Sequence, residues 1–317
     1  MSLIVRKNVI HPLINDYLLE KGSIGYFGYI TKRFLNLQMI MPSHYSSLSY
    51  GSIFSNHFIR KKVTLKSNAI SIVNNEYSNF YHFIFESLVK LFCLRNYLEN
   101  SYVVFPAQYS KFHQEWFNLL DINNIIYIDM DQIVEAKNAI SCNFIDSDTP
   151  VGLEVYKRFR DWVLQKIDEK SLSQKYINLP EKIFIARRGV KYRRISNFEK
   201  IEPILREFGY TIIELEHLSL LDQIHYFKSA KDIVGIHGAG FSHLIFTSAN
   251  VLDIIVSDFH PPYFSILSEI FEVGYQQFRC PGVPNNYHRK SPGYLDIFVD
   301  PYELRQILIS RLSLASK

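Results

Sequence analysis

The chain has 317 residues, of which 47% are hydrophobic, 15% aromatic and only 21% charged, so it is long and apolar enough to fill two hydrophobic cores. Its net charge of +4 and its pI near 8.7 are too mild for a nucleic-acid-binding protein, but they suit a phosphate-bearing ligand or an anionic membrane surface. The three cysteines are far apart and in no ligand-like spacing, which argues against a disulfide scaffold and a zinc site.

The N-terminal segment, MSLIVRKNVIHPLINDYLLEKG, interrupts each short apolar run with Arg, Lys, His or Asp. It therefore lacks the apolar core and the cleavage site of a signal peptide. No later stretch approaches the roughly 18 apolar residues of a membrane-spanning helix. These features and the sparse cysteines predict a cytoplasmic protein.

The first half of the chain predicts a loosely organised α/β domain. Its clearest element is a long helix over 78–97, which is apolar nearly all round, as in a buried helix. Strands are expected at 102–105 and 124–128, with a helix over 109–120 between them.

Two polar side chains interrupt the long helix. His82 and Glu86 are four residues apart, a spacing that places them side by side on one face. A carboxylate in apolar surroundings is costly unless it is paired or faces a cleft. Glu86, assisted by His82, is therefore a candidate general base. The alternative is a mutually satisfied structural pair.

The second half alternates short apolar strands with helices. Strands are predicted at 183–186, 210–215, 232–236 and 251–256. Helices are predicted at 197–208 and 219–230, with a short one at 241–247. Such alternation indicates a parallel sheet covered on both faces, and thus a Rossmann-like domain over about 176–275.

A polar stretch over 166–179 is the best linker candidate, and the chain after Pro261 is predicted to be rich in loops. The last element is a helix capped by Asp300 with Pro301 at its first position. We expect an α/β domain over 1–172, a ligand-binding domain over 173–300, and a helix over 301–317 that packs back on the first domain. Membrane attachment is the alternative for this helix.

A glycine-containing turn follows the predicted strand 232–236. Glycines let backbone amides approach an anion, and the helix that follows adds a partial positive charge. The residues of this turn that we expect to bind an anion are His237, Gly238, Ala239 and Gly240. The spacing differs from the dinucleotide fingerprint GxGxxG, so NAD binding is not favoured, and a tight turn without a ligand is the alternative.

A basic loop follows the strand 183–186, with five basic residues in the segment RRGVKYRR. Because it also leaves the carboxyl end of a parallel strand, it belongs to the same sheet edge as the glycine turn. Arginine offers planar, permanently charged donors suited to a diphosphate, which makes Arg187 and Arg194 candidate ligands. A solvated charged loop is the alternative.

Two Asp-x-Asp pairs, Asp129/Asp131 and Asp146/Asp148, resemble the motif with which some transferases hold a divalent cation and a diphosphate. The pattern is common by chance, and both pairs lie outside the domain that carries the basic loop. No metal or other cofactor is therefore predicted.

Together, these segments resemble glycosyltransferase family 61, a group that includes bacterial capsule and lipopolysaccharide enzymes and eukaryotic O-GlcNAc and xylose transferases. The resemblance rests on NFYHFIFESLVKL, IFIARRGVKYRRISN, IVGIHGAGFSHLIF and VLDIIV. It makes Asn79, Asn197 and His243 candidate supporting residues. The chain has His243 where the family usually has Asn, and Asp253 where the family usually has Glu.

The resemblance implies a GT-B fold, in which two Rossmann-like domains face each other across a cleft, and an inverting reaction without a metal. Glu86, oriented by His82, would then deprotonate an acceptor hydroxyl of a surface glycan, in a capsule or a lipopolysaccharide. Arg187, Arg194 and the turn 237–240 would receive the diphosphate of a nucleotide-sugar, expected to be UDP-linked. Asp253 would hold ribose or sugar hydroxyls.

Two alternatives stay open: another polysaccharide-modifying transferase on the same fold, such as a pyruvyl transferase, and a non-catalytic nucleotide-binding subunit. The resemblance and the charge pattern predict a bacterial cytoplasmic protein that is compatible with peripheral association at the inner membrane. Nucleic acid is not expected as a partner, and the oligomeric state is left open, with a homo-oligomer compatible.

Overall fold

The computed structural model describes residues 19–25, 30–32, 61–73, 76–129, 131–142, 150–170 and 178–315. The chain divides into two compact units between Lys170 and Ser171. Within the described ranges, no helix combines the length and the apolar character needed to cross a membrane.

The first unit contains a mixed sheet of seven strands, in the order β2-β1-β7-β4-β5-β6 with β3 beside β7. The strands are β1 (Leu19–Gly25), β2 (Ile30–Lys32), β3 (Lys61–Thr64), β4 (Asn68–Ser71), β5 (Ser101–Pro106), β6 (Ile125–Ile128) and β7 (Gln132–Ser141). β3 to β7 pair in parallel, while β1 runs antiparallel to β2 and β7. The strands predicted at 102–105 and 124–128 are confirmed as β5 and β6.

The helix predicted over 78–97 begins at Phe80 and is not α-helical throughout. The helical elements of the first unit are α1 (Phe80–His82), a π-helical segment (Phe83–Leu88), α2 (Val89–Cys93), a 3₁₀ turn (Arg95–Asn100), α3 (Lys111–Leu119) and α4 (Pro150–Lys170). A π-helical turn is wider than an α-helical one and is frequent at functional sites. Because α4 continues to Lys170, the linker predicted over 166–179 begins too early, and 171–177 lie outside the described residues.

The second unit contains a five-stranded, fully parallel sheet in the order β12-β11-β10-β8-β9. Its strands are β8 (Lys182–Ile185), β9 (Thr211–Ile213), β10 (Asp232–Ile236), β11 (Asn250–Val256) and β12 (Tyr275–Cys280). Its first helices are α5 (Phe198–Glu207) and α6 (Leu220–Ser229), with 3₁₀ turns at Leu215–His217 and Ala239–Phe246. The predicted parallel sheet is confirmed.

The prediction of loops after Pro261 is wrong for the first twenty or so residues. Helix α7 (Tyr263–Phe271) and strand β12 lie there, and β12 extends the sheet beside β11. The helix forms because Phe264, Leu267 and Ile270 recur at helical spacing and are buried. Between β12 and the C-terminal helix lie the short strands β13 (Gly282–Val283) and β14 (Asp296–Ile297) and a 3₁₀ turn (Pro292–Tyr294).

The C-terminal helix α8 (Pro301–Ala315) packs on the core of the second unit. The prediction that it packs back on the first domain stays a prediction. Leu304 and Leu308 are buried in the second unit's core, and Arg305 pairs with Glu207 at the end of α5. Its start is as predicted, since Asp300 Oδ1 accepts from the amides of the first turn. The part of the apolar face around Leu304 and Leu308 is therefore covered by its own unit, whereas Leu312 is exposed.

Candidate functional site

The basic loop and the glycine turn leave neighbouring strands at the carboxyl edge of the second sheet. β8 and β10 pair in parallel, with Ile185 opposite Gly235. The chain passes from β8 into Arg187 and from β10 into His237, so both segments emerge on the same side. The position of ligand sites in open parallel sheets makes this edge the natural place for a bound group.

Arg187 lies directly against Gly238. A Cβ atom at Gly238 would stand 2.2 Å from Arg187 Nη1 and 3.0 Å from its Cζ, so any larger residue would collide with the guanidinium. The predicted proximity of the basic loop to the turn is thereby confirmed. Glycine here allows the close approach of the guanidinium, and its backbone angle is an ordinary extended one.

Arg193 is the second cation of this edge. Its backbone is left-handed, with φ of 57°, and its Nη1 donates to the carbonyl of His237 at 3.0 Å. Burial, and the positive charge of Arg193, lower the pKa of Arg187 to about 10. Within the part of the chain that the structure describes, the buried Nε atoms of both arginines have no hydrogen-bond partner. An anion would supply the missing acceptors and counter-charge.

Arg194 does not join this pair. Its guanidinium donates to Asp296 Oδ2 at 2.8 and 3.2 Å, and its backbone amide donates to Asp296 Oδ1 at 3.0 Å. This side chain therefore anchors β14, and its contact with a diphosphate stays a prediction. Arg193, which sequence reasoning did not single out, is the arginine that lies near Arg187 and the turn. We call Arg187, Arg193, His237 and Gly238 the basic edge.

Asp253 orients His237. Its Oδ2 accepts from His237 Nδ1 at 2.7 Å and from the Tyr275 hydroxyl at 2.5 Å. Burial and the charge of Asp253 raise the pKa of Tyr275, which keeps that hydroxyl a donor. Since Asp253 has no exposed surface, the predicted contact with ribose or sugar hydroxyls needs correction. The bond to Nδ1 fixes the ring of His237 and leaves Nε2 for other partners.

A pocket opens beside Arg187 at the same edge. The side chains that form its apolar wall are Ile185, Leu215, Ile236 and Phe241. Arg187 and Glu216 are the charged residues of its lining. The pocket therefore combines an apolar interior with one cation and one carboxylate, a composition typical of small-molecule sites.

In the first unit, His82 and Glu86 meet as predicted. His82 Nδ1 and Glu86 Oε1 are 2.5 Å apart, and the two side chains are 27% and 18% exposed. His82 ends α1 and Glu86 lies in the π-helical segment, whose other side chains are mostly buried. Partial exposure leaves the pair accessible to a hydroxyl from solvent or substrate.

Lys90 lies one turn beyond Glu86 and is buried. Burial lowers its pKa, while the charge of Glu86 acts in the opposite direction. Lys90 thus lies within electrostatic reach of the Glu86 carboxylate. Sequence reasoning missed it, although its spacing of four residues from Glu86 places it on the same face.

The three supporting candidates have structural partners. Asn79 caps α1, accepting from the amide of Tyr81 at 2.9 Å. Asn197 is buried and bonds both the carbonyl and the amide of Val299, at 2.8 and 3.2 Å. His243 Nε2 donates to Gln223 Oε1 at 2.8 Å, and burial lowers the pKa of His243 to about 3.

The Asp-x-Asp pairs do not form a cation site where the structure describes them. Asp131 pairs with Lys61 at 2.9 Å, and the backbone amide of Asp129 donates to Gln132 Oε1 at 3.0 Å. Asp146 and Asp148 lie outside the described residues. In the described ranges, no three His, Cys, Asp or Glu side chains come together as a ligand set for a metal.

A family model described as glycosyltransferase 61 matches residues 80–254, more than half of the chain. The chain belongs to the glycosyltransferase 61 family. The matched region of this family contains His82, Glu86, Arg187, Arg193 and Asp253, and it ends before Tyr275.

Two plant proteins resemble short parts of the chain. The beta-1,2-xylosyltransferase RCN11 of Oryza sativa subsp. japonica is 31% identical over 68 residues, which are 21% of this chain and 13% of the rice protein. A beta-1,2-xylosyltransferase of Arabidopsis thaliana is 33% identical over 57 residues, which are 17% of this chain and 11% of that protein. The matched segments therefore span only a small part of either relative.

Among solved structures, similarity was found to the bacterial iron-containing dodecameric glycosyltransferase TibC from enterotoxigenic E. coli. The TM-score is 0.30 and the sequence identity 11%, over 65% of this chain and 62% of that one.

Proposed function

We propose that the chain is an inverting, metal-independent glycosyltransferase that moves a sugar from a UDP-linked donor to a hydroxyl of a surface glycan. The observation that carries this proposal is the basic edge, where two arginines converge on a glycine turn and their Nε atoms have no acceptor among the described residues. Two fixed cations match the charge that a nucleoside diphosphate develops as it leaves the sugar.

At the basic edge, Arg187 and Arg193 bind the diphosphate, and the turn 237–240 adds backbone amides. His237, held by Asp253, presents Nε2 to a phosphate oxygen. Because the donors are fixed before the substrate arrives, little reorganisation accompanies bond cleavage. The same groups bind the diphosphate more tightly as its negative charge grows, which favours departure of the leaving group.

In the first unit, Glu86 accepts the proton of the acceptor hydroxyl as its oxygen attacks the anomeric carbon. His82 holds the carboxylate in one orientation, and Lys90 stabilises its charge. The GT-B arrangement is part of this proposal, because base and donor must act on one sugar carbon. A bacterial capsule or lipopolysaccharide acceptor and a cytoplasmic location are also proposed, on the resemblance of the motifs alone.

The xylosyltransferase names of the plant relatives suggest which sugars to test first. A panel of UDP-xylose, UDP-N-acetylglucosamine, UDP-glucose and free UDP is followed by thermal shift and calorimetry, since a ligand that binds only the folded state raises its stability. Hydrolysis of one UDP-sugar without acceptor would support the transferase. A chain that leaves every nucleotide-sugar untouched would favour a pyruvyl transferase or a non-catalytic subunit.

The decisive comparison is Arg187→Ala against Arg188→Ala. Arg187 faces Gly238, whereas Arg188 pairs with Glu214 at 3.4 Å and lies over the Phe198 ring. Loss of a charged hydrogen bond predicts a 10- to 100-fold weaker UDP affinity for Arg187→Ala, equivalent to about 1.5–3 kcal/mol, and little change for Arg188→Ala. Equal UDP affinity in both variants, with normal thermal unfolding, would remove the basis of the proposal.

A further inference from the structure

The pocket beside Arg187 has a carboxylate that the proposed transfer does not use. Glu216 lines this pocket together with the apolar wall of Ile185, Leu215, Ile236 and Phe241. Neighbouring Glu214 pairs with Arg188, whereas Glu216 has no hydrogen bond or ion pair with any residue that the structure describes. An exposed carboxylate beside an apolar pocket is available to a ligand.

The turn that carries Glu216 is held from both sides. Gln223 Nε2 donates to the carbonyls of Leu215 and Leu218, at 2.9 and 3.2 Å, and so bonds to both ends of the turn Leu215–His217. Gln223 Oε1 in turn accepts from His243 Nε2. The buried, neutral imidazole of His243 therefore holds the side-chain amide of Gln223 in place. This amide in turn holds the turn Leu215–His217.

Packing adds a second restraint on the same turn. A Cβ at Gly240 would stand 2.6 Å from Leu215 Cδ1, so the leucine lies directly on the glycine turn. Leu215 is buried, while Glu216, the next residue, is exposed. The backbone thus places the Glu216 carboxylate at the pocket rim at little further cost in conformational entropy.

The two charged residues of the pocket lining, Arg187 and Glu216, carry opposite charges. The Glu216 carboxylate lies close enough to Arg187 to oppose the effect of burial on that guanidinium. A phosphate at Arg187 would be repelled by a carboxylate in contact with it, so the group that fills the pocket must separate the two. Ribose does this in a nucleotide, because its phosphate and its two hydroxyls lie at different carbons of the ring.

We propose that this pocket binds the nucleoside half of the donor, with Glu216 accepting hydrogen bonds from the two ribose hydroxyls. The base then lies against the apolar wall, and the diphosphate extends toward Arg187. This inference rests on the proposed function. It gives to Glu216 the role that the buried Asp253 cannot fill.

The test measures binding of three probes by calorimetry: UDP, 2′-deoxy-UDP and inorganic pyrophosphate. Glu216→Ala is compared with wild type and with Glu214→Ala, a matched change two residues away that lies outside the pocket lining. We expect Glu216→Ala to weaken UDP about tenfold or more and to leave pyrophosphate unchanged or slightly tighter. Glu214→Ala should bind UDP within about twofold of wild type.

Binding of UDP and 2′-deoxy-UDP to wild type and to Glu216→Ala forms a thermodynamic cycle that tests the contact between Glu216 and the ribose 2′-hydroxyl. Wild type should bind 2′-deoxy-UDP several-fold more weakly than UDP, whereas Glu216→Ala should no longer distinguish the two. Glu216→Gln, which keeps an acceptor oxygen without the charge, should recover part of the discrimination. Because Glu216 is exposed, its replacement is not expected to disturb folding, and thermal unfolding checks this.

Failure of the inference is distinguishable from failure of the proposed function. If Arg187→Ala weakens UDP but Glu216→Ala binds UDP and 2′-deoxy-UDP as wild type does, the nucleoside subsite is overturned and the transferase stands. If folded wild type binds no nucleoside diphosphate, both are overturned.

Discussion

The basic edge of the second unit and the His82–Glu86 pair of the first unit hold their charges in opposite ways. Arg187 and Arg193 are two like charges side by side, and their Nε atoms lack acceptors in the described part of the chain. Glu86, in contrast, has an imidazole at 2.5 Å and the buried Lys90 nearby. An anion from outside would complete the first arrangement, whereas in the second the carboxylate already has partners within its own unit.

The largest effect is expected from removing the charge of Glu86 in the first unit. Glu86→Gln keeps the size of the side chain but removes the proton-accepting charge. We expect kcat to fall about 100-fold or more while UDP affinity stays unchanged, since the donor groups belong to the second unit. Steady-state kinetics with UDP-sugar and acceptor measure the first quantity, and calorimetry the second.

Glu99→Gln serves as the control for this change, because Glu99 is an exposed residue on the 3₁₀ turn that follows α2. It should retain wild-type turnover. Unchanged kcat in Glu86→Gln would show that the His82–Glu86 pair is only structural.

The next effect alters the basic edge without removing a charge. Gly238→Ala places a methyl group 2.2 Å from Arg187 Nη1, and the flexible guanidinium must then move away. We expect UDP affinity to fall 10- to 100-fold with little loss of folding stability, as measured by calorimetry and thermal unfolding.

Gly189→Ala is the matched control in the basic loop. Among the described residues, its added Cβ would meet only Glu216 Oε1, at the ordinary contact distance of 3.6 Å. UDP affinity of Gly238→Ala equal to that of Gly189→Ala would mean that the position of Arg187 over the turn is unimportant for binding.

The smallest effect is a dependence of stability on pH. Each unit holds a buried neutral histidine, His113 in the first and His243 in the second. His113 packs against Phe83 at the start of the π-helical segment, its ring nitrogens bonded to Ser110 N and Tyr77 O. Burial lowers the pKa of His113 to about 4. Between pH 6.5 and 4 the unfolded chain therefore binds a proton that the folded unit does not, and stability falls as the pH falls.

We expect the first unit to lose about 1–2 kcal/mol of unfolding free energy from this group between pH 6.5 and 5. Urea unfolding followed by tryptophan fluorescence reports on this unit, since Trp116 and Trp162 both belong to it. His113→Asn should show a shallower pH dependence. A slope identical to that of wild type would contradict the proposed origin of the acid sensitivity.

Much of the second unit was predictable from the sequence because its signals are local. Short apolar strands, the capping serine of α6 and the glycine turn each depend on a few neighbouring residues. Parallel pairing then brings successive strand ends to one edge, so the proximity of Arg187 to the turn followed. The same local reasoning placed His82 beside Glu86, four residues away on one helix.

Tertiary structure decided what depends on residues far apart in the chain. Arg193 and Arg194 are adjacent in sequence, yet one bonds His237 and the other bonds Asp296, 102 residues away. Asp253 on β11 bonds both His237 and Tyr275 because β10 and β12 flank its strand in the sheet. The C-terminal helix α8 has an apolar face that is visible in the sequence, but only the packed core shows that the second unit covers the part around Leu304 and Leu308. Periodicity specifies which face of an element is apolar, while the identity of its partner depends on the topology of the whole unit.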